Sequence, residues 1–150
     1  MKNIFSLFLA SILLLSVFSC KEDDSLAISQ DQLLRSGKWQ LKEIRKTKGN
    51  ITETDKLLAC ERQSTLDFSD VTNYNSNMYK TEKGNCVQEQ TIGTYVYNTS
   101  KTKRLLTMSL NDTTYNYYVK QLDPKYLILQ DTLSKVDTIK LRLQVFEIVK

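Results

Sequence analysis

From residue 38 onward the chain alternates apolar and polar positions with a period of two, in short runs separated by Asn, Asp, Ser, Lys and Gly. Half-buried strands carry that pattern; helices do not. In a first run, 38–47, Trp39 and Leu41 face one way and Gln40 and Lys42 the other. Further runs near 63–69, 74–80, 89–97, 104–110, 114–121, 126–131 and 136–149 bring the predicted strands to about eight. The apolar set is Leu106, Met108 and Leu110 in one run and Tyr115, Tyr117 and Val119 in the next, and Asn111-Asp112-Thr113 between them is of hairpin length. In the last run Ile139, Leu141, Leu143 and Val145 oppose Lys140, Arg142 and Gln144, which predicts that the first set is buried. Ahead of the strands, residues 28–36 fit one or two helical turns, with Ser29 or Asp31 as N-cap and Gly37 as the stop. The sole proline, Pro124, falls in a turn. With no crossover helix after residue 37, the prediction is an all-β antiparallel barrel or sandwich of sequential hairpins.

The N-terminus follows a different grammar. Lys2 precedes 15 uncharged residues, Ile4 to Phe18, and then Ser19-Cys20. A positive start, a short apolar run and a small residue before the cut make an export signal, and the run is shorter than the roughly 20 residues a spanning helix needs. Val17-Phe18-Ser19-Cys20 resembles a lipobox, so residues 1–19 read as a lipoprotein signal peptide and Cys20 as the acylated first residue of the mature chain. An ordinary secretory signal with a chance cysteine is the alternative. The charge that follows Cys20 at once favours lipidation. Residues 20–32 then read as anchor and tether, and 33–150 as one domain.

Charge and residue types narrow the chemistry. Lys and Arg number 21 against 17 acids, a net charge of +4, but they are interleaved and form no basic stripe, so no nucleic acid is expected as a partner. There is no histidine, which excludes Ser-His-Asp and Cys-His catalysis and histidine metal sites. Only four glycines occur and none builds a phosphate loop. Glu43, Glu61, Asp67 and Asp70 read as solvated turn carboxylates, not as a catalytic pair. No enzyme activity, cofactor or metal is expected. With Cys20 committed to lipid, Cys60 and Cys86 remain in an oxidising compartment, where an even number favours a disulfide; two free thiols are the alternative.

The short helical turn, Gly37-Lys38-Trp39 at the start of the first strand and seven more meandering strands together resemble the lipocalin-like (calycin) barrel. The likeness is nearest to the small lipocalin-like lipoprotein domains of Bacteroidota, where one cysteine precedes the second strand, as Cys60 does, and another precedes a Gly-x-aromatic strand, as Cys86 precedes Gly93-Thr94-Tyr95. It implies an eight-stranded up-and-down barrel with Trp39 closing the floor under a basic side chain from the last strand, where Arg142 is the only arginine. Lys21-Glu22-Asp23-Asp24 resembles the surface-export signal of such lipoproteins, implying an outer-membrane anchor exposed at the cell surface, with the periplasmic face as the alternative. Four segments, at Ser25, Thr113, Thr132 and Thr138, resemble an Asp-Ser/Thr-apolar glycosylation pattern that turn-then-strand sequences also produce by default. Two functions follow. In one, Trp39, Tyr95, Tyr97, Met108, Tyr115 and Tyr117 contact a small hydrophobic or amphipathic ligand inside the barrel. In the other, the barrel is filled by its own side chains and docks on an envelope protein or glycan.

Overall fold

The computed structural model describes residues 29–48, 51–100, 103–131 and 141–149. Residues 1–19, Cys20, Ser25, Thr132, Thr138 and Ile139 lie outside the described residues. A short helix α1 (Gln30–Leu34) is followed by β1 (Lys38–Lys48), β2 (Ile51–Asp55), a 3-10 turn (Glu61–Gln63), β3 (Thr65–Asp67), β4 (Asn73–Glu82) and β5 (Asn85–Ser100). Then come β6 (Lys103–Leu110), β7 (Thr113–Leu122), β8 (Tyr126–Asp131) and β9 (Leu141–Val149).

From β3 to β9 each strand pairs antiparallel with the next, and β9 returns to β1 and closes the sheet. β2 and β3 share one edge of β1: β3 on Lys38 to Gln40, β2 on Ile44 to Lys48. Together they fill one wall position, so the barrel has eight. Nothing in the hydrophobic pattern announces β2, because Ile51 to Thr54 are all exposed. The same reason hides the first half of β5. Its residues 85–90 extend past the barrel wall as the arm of a hairpin, whose tip takes positive φ at Lys83 (50°) and Gly84 (84°), the combination a two-residue type I′ turn requires.

One expectation is overturned at β9. Trp39 lies opposite Ile148, Leu41 opposite Phe146, Ile44 opposite Gln144 and Lys46 opposite Arg142, and partners directly across a ladder point to the same face. The inward set is therefore Arg142, Gln144, Phe146 and Ile148, while Leu141, Leu143 and Val145 point outward. Val145 is buried nonetheless, outside the main core cluster. The pattern misleads because the inner face becomes polar toward one end of the barrel, which inverts the usual meaning of alternation.

At the other end the core is dry. Ser29 caps α1 through a reciprocal capping box with Gln32, and the helix turns Leu33 and Leu34 into the barrel, where they join Trp39, Phe68, Leu106, Leu127 and Phe146 in one cluster. The indole Nε1 of Trp39 donates to the carbonyl of Leu34 at 2.8 Å, tying helix to floor. Among the described residues no basic side chain covers Trp39 from the last strand: Arg142 lies near the far end of β9, opposite Lys46. Cys60 and Cys86 form a disulfide, with Cα atoms 5.5 Å apart. It clamps the segment between β2 and β3 to the β4–β5 hairpin.

Candidate functional site

The polar end of the barrel is a cup. Its hollow measures about 220 Å³ and is walled by Leu66, Tyr74, Met78, Met108, Leu129 and Tyr117, with Ser76, Thr91, Gln144 and Tyr115 also lining it. Gly93 makes room for this arrangement. A Cβ there would stand 2.3 Å from the Ser109 carbonyl oxygen and 2.7 Å from the Tyr74 ring, so only glycine lets that ring lie across β5. Two further hollows share the cup's walls. One of about 370 Å³ at the mouth has Tyr115, Tyr117, Asp131, Arg142 and Gln144. Another of about 470 Å³ lies beneath the disulfide-bound segment, against Leu41, Ile44, Leu57, Met78 and Arg142.

Strand register builds the polar wall of the mouth. Tyr117 is paired with Asp131 across β7 and β8, and Asp131 with Arg142 across β8 and β9. Arg142 Nε stands 3.7 Å from Asp131 Oδ2, an ion pair too long for a hydrogen bond. That Nε is buried and has no hydrogen-bond partner among the described residues. Gln144 donates to the same carboxylate oxygen at 3.4 Å. Burial raises the Asp131 carboxyl above its ordinary range, and the guanidinium of Arg142 and the Gln144 hydrogen bond offset only part of that. Burial likewise pushes the Tyr117 phenol up to about 12. The wall therefore holds a neutral phenol and an imperfectly satisfied charge pair beside apolar side chains, a setting that favours a guest with one apolar and one hydrogen-bonding end.

Of the residues singled out from sequence, Met108, Tyr115 and Tyr117 come together around the cup. The other three sit on the dry side. Trp39 is fully buried in the floor. Tyr95 packs edge-on against Phe68 at 5.0 Å and donates its hydroxyl to the Asp70 carbonyl at 2.9 Å. Tyr97 packs against the core, its hydroxyl buried without a hydrogen-bond partner among the described residues. The sequence marked none of Met78, Asp131 and Gln144 as lining a site, and it placed Arg142 over Trp39 instead of in the cup. An acid soon after the apolar run Tyr126 to Leu129 and a lone arginine in the next strand were the available signal. The four carboxylates expected on turns engage locally, although two of them stand on strands: Glu43, within β1, pairs with Arg45, Glu61 accepts from the Leu58 amide, Asp67, at the end of β3, accepts from the Ser69 amide, and Asp70 accepts from Thr72 and Asn73. Among the described residues no group of three or more Cys, Asp or Glu side chains is placed to hold a metal ion.

A family model described as a lipocalin-like domain matches residues 36–129, more than half of the chain. No curated protein and no solved structure matches it.

Proposed function

Because this chain belongs to the lipocalin-like domain family, we propose that it is a lipid-anchored binding protein whose cup holds a small amphipathic molecule. The observation that carries this reading is the cup itself, with apolar walls of Met78, Met108 and Leu129 leading to Tyr117, Asp131, Arg142 and Gln144 at one side. The guest's apolar part lies against the methionines. Its polar end meets the guanidinium and the amide.

The anchoring half of the proposal rests on the lipobox at Cys20. α1 leads into β1 at the closed end, so the tether joins the barrel opposite its mouth. From Cys20 to Ser29 nine residues reach at most about 30 Å. A barrel held that way presents the cup away from the bilayer, toward the medium if the chain is exported to the cell surface. Radiolabelled palmitate incorporation, lost in Cys20→Ala, tests the anchor separately from the cup.

Titration with the fluorescent probe 1-anilinonaphthalene-8-sulfonate, followed by displacement with medium-chain fatty acids and fatty amines, tests the cup. Binding by the wild type and its loss in Met108→Arg is the expected result. A wild-type barrel that takes up no probe, and from which native purification extracts no small molecule, overturns it. The size of the cup, below the roughly 300 Å³ usual for drug-sized ligands, favours a second reading: a docking module whose barrel carries no guest.

A further inference from the structure

The two outer walls of the barrel differ in charge. On the wall made by β1 and β9, the outward positions include Lys38, Lys42, Glu43, Arg45 and Glu147, and Lys42 pairs with Glu147 at 2.7 Å. Over the central stretches of β4 to β7 the outward positions carry no charge, the exposed Lys120 lying past them on β7. The outward set runs from Asn73 to Tyr79 on β4, Gln88 to Asn98 on β5, Leu105 to Ser109 on β6 and Thr114 to Tyr118 on β7. Every alternate residue in those four stretches is an amide, a hydroxyl, an aliphatic or a tyrosine. Charged residues make up 25% of the whole chain, so their exclusion from one exposed face is a property of that face.

The amides and hydroxyls there are held in place across the strands. Gln88 donates to Asn77 at 2.9 Å and Gln90 to Asn75 at 3.4 Å; Thr107 donates to Asn116 at 2.9 Å, and Ser109 and Thr114 lie 3.4 Å apart. A glutamine NH₂ that gives one hydrogen to its neighbour still has a second, and amide oxygens accept twice. Fixing these rotamers before binding lowers the ordering cost of any partner. Between them Ile92 and Val96 are 64% and 67% exposed.

From this geometry we infer that the β4–β7 face is a docking surface for a neutral oligosaccharide. Sugar hydroxyls are donors and acceptors at once and carry no charge, which matches paired amides and hydroxyls; the C–H faces of sugar rings match Ile92 and Val96. Nucleic acid and anionic membranes need cations that this face lacks. A second protein fits less well. With strands about 4.8 Å apart, the β4–β5 part, about 20 Å long, and the β5–β7 part, about 14 Å long, meet at Thr94 and together give roughly 400 Å², about half of what each partner contributes to a standard protein interface. The inference does not rest on the cup, although Thr114 and Asn116 also border the hollow at its mouth.

Amide NMR shifts of the full mature domain, titrated with maltoheptaose, laminarihexaose, cellohexaose and xylohexaose and with hyaluronan fragments as the acidic control, provide the test. At least one neutral oligosaccharide is expected to move Gln90, Ile92, Thr94 and Val96, with no response to hyaluronan. Gln90→Glu and Ile92→Glu should each weaken that binding about tenfold or more while the circular dichroism and thermal midpoint stay unchanged. The inference is overturned if no neutral sugar in the panel shifts the face, if the shifts fall elsewhere, or if both variants bind as the wild type does. Sedimentation showing a dimer that Ile92→Glu dissolves would overturn it too, by assigning the face to a second copy of the chain.

Discussion

The two ends of the barrel are made from the same strands and obey opposite rules. At the closed end, Leu34, Trp39, Leu106, Leu127 and Phe146 are fully buried, and the one polar atom of the tryptophan is satisfied by the Leu34 carbonyl. At the open end the same strands turn Tyr117, Asp131, Arg142 and Gln144 inward, with a long ion pair and an orphaned guanidinium nitrogen. One end carries the stability of the fold; the other spends some of it on a polar interior. Truncation separates them most sharply. Trp39→Ala should cost about 3–5 kcal/mol in denaturant unfolding, through lost burial and the cavity left behind, whereas Tyr115→Ala, at a residue 47% exposed, should cost less than about 1 kcal/mol. Equal losses would break the comparison.

The disulfide extends the contrast to the wall beside the mouth. β1 has no strand partner at Leu41 to Glu43 on its β2/β3 edge, where only the Leu41 amide reaches the Ser64 carbonyl, at 2.8 Å. The segment covering that gap is held by Cys60–Cys86, which closes 26 residues. Replacing both cysteines by serine should remove roughly 3–4 kcal/mol on the chain-entropy account. Hydrogen exchange should quicken first between Leu57 and Ser64. Exchange that instead quickens first around Trp39 would place the weak point at the closed end.

What could be read from the sequence divides along the same line. Trp39, Leu106, Val119 and a helix cap at one of Ser29 and Asp31 were legible because a dry core demands alternation and helices demand caps; the structure puts the cap at Ser29. The Cys60–Cys86 pairing followed from parity and compartment. The inward face of β9 was misread because a solvated cup puts Arg142 and Gln144 where the pattern expects leucines. β2 and the hairpin arm of β5 went unread because they bury almost nothing. The cup residues Met108, Tyr115 and Tyr117 sat on legible strands. Their meeting with Asp131 depends on strand register, which composition does not encode.

Alkaline titration measures how far the interior of the open end excludes water. Tyr117 ionises near 10.0 in an unfolded chain and at about 12 in the fold. A native pKa raised above the unfolded value means that its stability contribution is complete below pH 10 and is lost as pH climbs from 10 to about 12. The loss should reach roughly 2–3 kcal/mol. Tyr117→Phe should flatten that part of the profile; the raised phenols of Tyr74, Tyr95 and Tyr97 keep the remainder. If Tyr117→Phe and the wild type unfold in parallel above pH 10, the wall is wetter than its burial implies.

The smallest effect is the most diagnostic of the polar wall. Asp131 is raised by burial despite Arg142, so the native state binds its proton more tightly than the unfolded state does. Stability from this group is therefore full below the unfolded value near 3.8 and declines as pH rises through the higher native one. Asp131→Asn removes the decline and keeps an oxygen for Gln144. Arg142 loses its partner, but its side chain is 39% exposed and remains hydrated. The variant should match or exceed wild-type stability at pH 7 by about 1 kcal/mol or less, and should lie closer to the wild type at pH 3. Denaturant midpoints at the two pH values decide the matter. A variant clearly weaker than the wild type at pH 7 would mean that the ion pair holds the mouth together, and the open end would then be structural in the same sense as the closed one.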